Sequence, residues 1–429
     1  GRPGGGAGRC RTSECTARRI LKRSLSAAAL AARRGRVFTV AMATLVRLDR
    51  DLRVDFVRGF ALWAIFVNHT PGNWLGYVTP RNYTLADATE AFVLLAGYAA
   101  GLAYGSIMDR QGWFFAASRV MGRVFTLYVA HIFLLVVFTA QVGLSAARLD
   151  SAAYLDELHL DPFASDPYRA LLEALLLRYQ PSFLNILPLY IAVLAMFAFA
   201  MPLLRRPWLM LAASAGLWAT ARVFDITLPS WRGEDWFFNP LAWQLLFFIG
   251  CALAYRPPGG RPLGVPWRRW AGVLCVLMLA AGAVMTVLIY FQWEFAEARL
   301  PAFAPYLAAI DKASLHPARL LTILAMTYLI AHLVPKEAPW LRSRAARPLI
   351  LMGQQSLPVF CAGIALSFLG RVALEEADGP AMQAVVNVGG AAALIGLAML
   401  TAWYASEKRG SGRRPATSGL PAPAATDRG

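Results

Sequence analysis

From Asp55 onward the chain repeats one pattern: an apolar block of roughly twenty residues, then a short polar loop. About twenty apolar residues are what an α-helix needs to cross the hydrocarbon of a bilayer. Ten blocks meet that measure, at about 55–74, 86–105, 120–143, 183–203, 208–224, 239–255, 270–291, 318–334, 348–370 and 384–404. The pattern predicts an all-α polytopic membrane protein, a bundle of about ten transmembrane helices. The loops alternate in charge. One set carries Arg110 and Arg119, Arg205 and Arg206, Arg256 to Arg269, and Lys336 to Arg347; the other carries Asp150 to Asp166, Glu234 and Asp235, Glu294 and Glu297, and Glu375 to Asp378. Basic loops stay on the cytoplasmic side, so both termini are expected in the cytoplasm.

The same pattern divides the chain. Residues 1–47 are Arg-, Ala- and Gly-rich and precede the first block; a natural start is expected at Met42, with translated upstream sequence before it. Residues 48–405 form a single transmembrane domain, whose first span serves as the insertion signal. Residues 406–429 form a polar tail, expected to be disordered and cytoplasmic. The longest outer segment, about 144–181, contains "YRALLEALLLRYQP", with leucines at helical spacing, and predicts a short amphipathic helix on the membrane surface.

Composition agrees with a membrane chain: 58% hydrophobic residues, with a mean hydropathy of +0.48. The net charge of +17 does not change this picture. Much of the excess lies in the leader, the tail and the short loops, where arginine sets topology and meets anionic lipid, so no nucleic-acid partner is expected. The five cysteines include no paired CxxC, and neither disulfides nor a metal site is expected. No soluble-enzyme signature is present, neither P-loop, GxGxxG, HExxH nor GxSxG. Any chemistry must come from polar residues inside the spans.

The first span holds two, Arg58 and His69, eleven residues apart. Eleven residues make almost three helical turns, so both side chains share a face, about 16 Å apart along the axis. Asp55 lies one turn before Arg58 and can pair with it. Pro71 withholds an N–H from the carbonyl of Val67, so the helix ends near Thr70 with His69 at the break. In the second span Asp87 and Glu90 share a face, and Gly97, Gly101 and Gly105 form a ridge for close packing. Arg119 and Arg123 open the third span as anchors or as a phosphate-holding cluster. His131 lies deeper, where a hydrogen-bonded packing role is the commoner outcome. His316 and His332 sit near span ends. Asn185 between two prolines suggests an irregular span near a cavity, and Gln354, Gln355 and Ser356 before Pro358 suggest helix–helix hydrogen bonding.

These residues carry a likeness. "RDLRVDFVRGFALWAIFVNHTPGN" and "TPRNYTLADATEAFVLLAGYAAGLAYG" resemble the OpgC-type membrane proteins, and so do "QPSFLNILPLYI", "WFFNPLAWQLLF", "DKASLHPARLL" and "RPLILMGQQSLPVF". Together these blocks run from about Leu48 to about Phe368. The chain also looks similar to the wider acyltransferase-3 superfamily, whose first span carries an Arg/Lys-x10-His element, matched by Arg58 and His69. "RVMGR" is one residue wider than that group's RxxR element, and Asn68 stands before His69 where an acid is as common.

The resemblance implies an O-acyltransferase of the bacterial inner membrane, with membrane lipid around it. Its co-substrate would be cytoplasmic acyl-CoA, succinyl-CoA first and an acetyl donor second; its acceptor would be a periplasmic glucan; it would carry no permanently bound cofactor. Arg58, Arg119 and Arg123 would hold the donor's phosphates. His69 would act as general base or carry the acyl group, with Glu90 or Asp87 orienting it. Asn73, Arg81 and Asn82 would contact the acceptor. The rival expectations are an acetyltransferase acting on another envelope glycan, a proton-coupled secondary transporter, and a non-catalytic partner of glycan-assembly machinery.

Overall fold

The computed structural model describes Gly1 and residues 45–47, 50–149, 153–231, 235–291 and 293–411. The expected leader, 1–47, and tail, 406–429, therefore lie mostly outside the described residues. Among the described residues every regular element is a helix, apart from one isolated bridge between Pro229 and Asp235.

Helix falls on each of the ten apolar blocks. In chain order these are α1 (Leu52–Asn68), α2 (Ala88–Gln111) and α3 (Trp113–Arg148), then a short α4 (Pro167–Leu175). They continue with α5 (Ile186–Ala200), α6 (Pro207–Val223), α7 (Pro240–Ala254), α8 (Arg269–Tyr290) and α9 (Pro317–Leu333). The ninth block is broken into α10 (Arg347–Gln354) and α11 (Ser356–Glu376), and the last helix is α12 (Gly390–Ser411). Among the described residues six helices are long and apolar enough to cross a membrane: α2, α3, α8, α11, α5 with the turn that follows it, and α12 with the segment before it. Several such helices mark a membrane protein. The helices α7 and α9 are apolar but shorter.

Glycine sets the closest packing. A Cβ on Gly97 or Gly101 would collide with the carbonyls of Phe247 and Cys251, and one on Gly250 would meet the Leu94 carbonyl. Backbones of α2 and α7 thus touch along the ridge that the four-residue glycine spacing predicts. Gly59 and Gly353 do the same for α1 against α10. The α4 helix forms within the expected amphipathic segment, burying Ala170 and Ala174 and exposing Leu171, Leu172 and Leu175.

Long-range bonds sort the loops onto two ends of the bundle. At one end Arg53 donates to the carbonyls of Ala331 and Val334, Arg205 pairs with Asp109, and the Arg268 amide donates to the Tyr328 hydroxyl. At the other, Arg222 pairs with Asp311, Tyr154 donates to Glu375, and the Trp74 amide donates to Gln383. Arg53, Arg205 and Arg268 belong to the first end, and Asp311 and Glu375 to the second.

Candidate functional site

The first span ends for a local reason. The α1 helix stops at Asn68, the Thr70 hydroxyl turns back to the Phe66 carbonyl, and Gly72 takes a left-handed φ of 77° that lets the chain reverse after Pro71. His69 sits at this cap. Its Nδ1 lies 2.8 Å from the Ile65 carbonyl oxygen. A carbonyl only accepts, so Nδ1 carries the proton and a neutral imidazole keeps its lone pair on Nε2. The ring packs edge-on against Phe183 at 4.8 Å between centroids. Phe183 holds a left-handed backbone at φ 71°, a costly conformation for a bulky residue and one that clusters at functional sites.

Arg58 lies well inside the bundle on the same helix. Only 6% of it is exposed, yet it forms no ion pair among the described residues. One N–H donates to the Leu95 carbonyl at 2.8 Å. Asp55, expected as its partner, instead pairs with Arg50 at 3.3 Å and accepts from Gln354 at 3.0 Å. These groups reach Asp55 from the end of the helix, where a guanidinium and an amide need less desolvation than Arg58 would. Arg58 opens onto a cavity of about 190 Å³ lined also by Arg123, Tyr104, Tyr190, Ser356 and a wall of α2 alanines. No carboxylate lines it. Arg123 and Tyr190 meet on the wall of this cavity. Arg119 is exposed one turn away and does not reach the cavity.

The two acids of α2 take a different role from the one the sequence suggests. Asp87 caps the helix by accepting from the Thr89 amide at 2.7 Å, and Glu90 accepts from the Asp87 amide at 2.9 Å. Asp87 also pairs with Lys312 at 2.6 Å, and the wholly buried Glu90 pairs with Arg319 at 2.7 Å. Two acids and two bases balance, as burial in a bundle demands. The imidazole is therefore oriented by the Ile65 carbonyl, and no carboxylate is hydrogen-bonded to it among the described residues. Lys312, Asp87 and Arg81 are charges that act on His69 from nearby.

Of the residues expected to meet the acceptor, Asn73 exchanges a reciprocal amide pair with Asn387 at 2.9 and 3.0 Å and caps the turn Trp74–Val78. Asn82 donates to the Gly76 carbonyl at 2.7 Å. Both side chains build the loop rather than face outward. Arg81 is exposed. Asn68 accepts from Thr79 at 2.7 Å and turns away from its neighbour's ring nitrogens. His131 is fully buried, and neither ring nitrogen has a partner among the described residues, contrary to the hydrogen-bonded packing role expected of it.

Sequence reasoning missed Lys312 and Arg319. A count of charge would have found them: two acids in one span require two bases in another, and "DKASLHPARLL" has them. It also missed Tyr190, for which no local signal exists.

A family model described as OpgC protein matches residues 50–406. No curated protein matches the chain.

Proposed function

The chain belongs to the OpgC family, and from that premise we propose that it is an integral-membrane O-acyltransferase. It moves an acyl group, succinyl first and acetyl as the runner-up, from cytoplasmic acyl-CoA to a hydroxyl of a periplasmic glucan. The bundle crosses the inner membrane about ten times with both termini in the cytoplasm, a topology that the alternation of loop charge supports. The relation between Arg58 and His69 fits the Arg-x10-His element of the acyltransferase-3 superfamily.

One observation carries the proposal: a single helix presents an unpaired buried guanidinium in a two-arginine cavity and, three turns on, an imidazole with a free Nε2. Phosphates of the donor bind at Arg58 and Arg123, and the thioester extends about 16 Å along α1 toward His69. Nε2 removes the proton as the sugar oxygen attacks the thioester carbon. The tetrahedral adduct then collapses, the C–S bond breaks, and the imidazolium returns its proton to the thiolate. Ester and free thiol leave. The Ile65 carbonyl supports the imidazolium by accepting from Nδ1. Lys312, held by Asp87, adds positive charge near the developing oxyanion. Arg81 is the acceptor-side residue with a free side chain.

The test is acyl transfer by the purified full chain in nanodiscs, with labelled succinyl-CoA and glucan. His69→Gln is expected to lower kcat by about 10²–10⁴ with the fold retained, the range typical of general-base assistance. Undiminished transfer by that variant would overturn the base assignment. Glucan accumulation across vesicles without ester formation would favour a transporter.

A further inference from the structure

The stretch PAMQAVVNVGG, Pro380–Gly390, leads into the last helix. Its Val385 and Val388 are 64% and 69% exposed. Gln383, Val386, Asn387 and Gly390 stand at i, i+3, i+4 and i+7, the spacing of one helix face. That face meets the break at the end of α1. A Cβ on Gly390 would collide with the Phe66 ring. Val386 and Thr70 close together on Gly370 of α11, where a Cβ would lie 2.9 Å from one and 3.1 Å from the other. The Gln383 side chain donates to the Gly72 carbonyl at 2.7 Å and accepts from the Trp74 amide at 3.1 Å. Asn387 makes its reciprocal pair with Asn73 and gives its remaining N–H to the Gln383 carbonyl at 2.9 Å. Two side-chain amides thus hold three consecutive residues, Gly72 to Trp74. Residues Val385–Gly389 form a π turn, a rare geometry found often at functional sites.

The hold lies three residues beyond His69. The Ile65 carbonyl accepts twice, from the His69 backbone amide at 2.9 Å and from Nδ1 at 2.8 Å. The direction of the ring therefore depends on His69 staying in the last turn of α1. The helix cannot secure this from the far side, because Pro71 has no N–H and Gly72 reverses the chain. A turn does so instead: the Asn73 amide donates to the Thr70 carbonyl at 3.2 Å, so what fixes Asn73 fixes Thr70 and His69. Neither amide side chain is hydrogen-bonded to the ring, whose face meets Phe183. Nε2 stays available.

We infer that Gln383 and Asn387 are positioning residues for His69, and that the last span enters the reaction through them. The inference deepens the general-base reading above and rests on it. An amide offers a donor and an acceptor together and brings no charge to desolvate, which suits a grip placed between apolar helices. Amides between spans are ordinarily helix–helix glue. These two hold the one turn that the Pro71 break leaves unsupported.

The experiment reads the imidazole itself, by NMR of the full chain in nanodiscs with isotope-labelled histidine. The chain has five histidines, and His69→Gln identifies the signal of interest. The wild type is expected to hold His69 wholly as the Nδ1–H tautomer. Gln383→Leu and Asn387→Leu should each give a mixture of tautomers, because the ring loses its fixed acceptor. Both should lower kcat at least about tenfold, as a displaced catalytic group does, and leave the KM for the donor unchanged, since its phosphates bind three turns away. Asn73→Leu/Asn387→Leu guards against misfolding: replacing both partners by apolar groups of similar size is nearly neutral for stability, and this variant should show the same mixture. Leu394→Ala removes a fully buried side chain from the same helix, outside the gripping face. It should lower the unfolding midpoint and keep the single tautomer and the kcat. A single tautomer retained in Gln383→Leu and in the double variant, or an equal mixture in Leu394→Ala, would overturn the positioning role. Mixed tautomers in the variants beside a wild type that transfers no acyl group would leave the grip on His69 standing and remove the acyltransferase reading instead.

Discussion

Arg319→Met is the sharpest perturbation of the bundle that carries His69. It removes the cation that neutralises Glu90, which is wholly buried. In the native chain the guanidinium donates through Nε at 2.8 Å and through its terminal nitrogen at 2.7 Å to one carboxylate oxygen. At 2.7 Å the attraction is roughly 6 kcal/mol for an effective dielectric of about 20. Removing the buried arginine also relieves its own desolvation, which offsets part of that. Asp87 keeps Lys312 at 2.6 Å and loses only a looser contact of 3.7 Å to Arg319. The net cost should be about 3–5 kcal/mol, the range found when one partner of a buried pair is removed. The double variant Glu90→Gln/Arg319→Met should recover most of it, because the glutamine oxygen still accepts from the Asp87 amide and no unpaired charge remains. Denaturant unfolding in mixed micelles, followed by tryptophan fluorescence, gives both numbers and their coupling. A single variant within about 1 kcal/mol of wild type, or a double variant less stable than the single, would show that the pair is not what holds α2 to α9.

Two further outcomes separate residues that look alike in sequence. Arg123→Ala should raise the KM for the acyl-CoA donor by about 10–100-fold, since a hydrogen bond to a charged group is worth about 1.5–3 kcal/mol. Arg119→Ala should leave it within about twofold, the size expected of an exposed charge; steady-state kinetics on both variants decides, and equal effects would remove Arg123 from the donor site. Gly101→Val should cost at least about 1–3 kcal/mol by forcing a side chain into the Cys251 carbonyl, seen as a lowered unfolding midpoint of the solubilised protein.

Much of the fold was legible because hydropathy is local. Each apolar block became helix, Pro71 ended α1 where a missing N–H requires it, and the glycines at 97, 101 and 105 predicted a ridge that α7 fills. The site was legible in part. The shared face of Arg58 and His69 follows from helix geometry alone. Asp55 misled, since the spacing that permits a pair with Arg58 says nothing of Arg50 and Gln354, which reach it first. Arg119 and Arg123 are one turn apart in sequence, and only the cavity separates them.

By itself, then, the sequence determined what one helix can determine: which segments are apolar, that the first closes before Pro71, how loop charge alternates, and that a cation and an imidazole stand eleven residues apart in the first span. Tertiary structure decided the partners. Glu90 meets Arg319 across 229 positions, Asn73 meets Asn387 across 314, and Arg58, Arg123, Tyr190 and Ser356 converge from four helices on one cavity. Periodicity fixes the direction of a side chain from its own helix axis. What it meets there depends on how the other helices are placed, which backbone-to-backbone packing at Gly59, Gly97 and Gly353 settles.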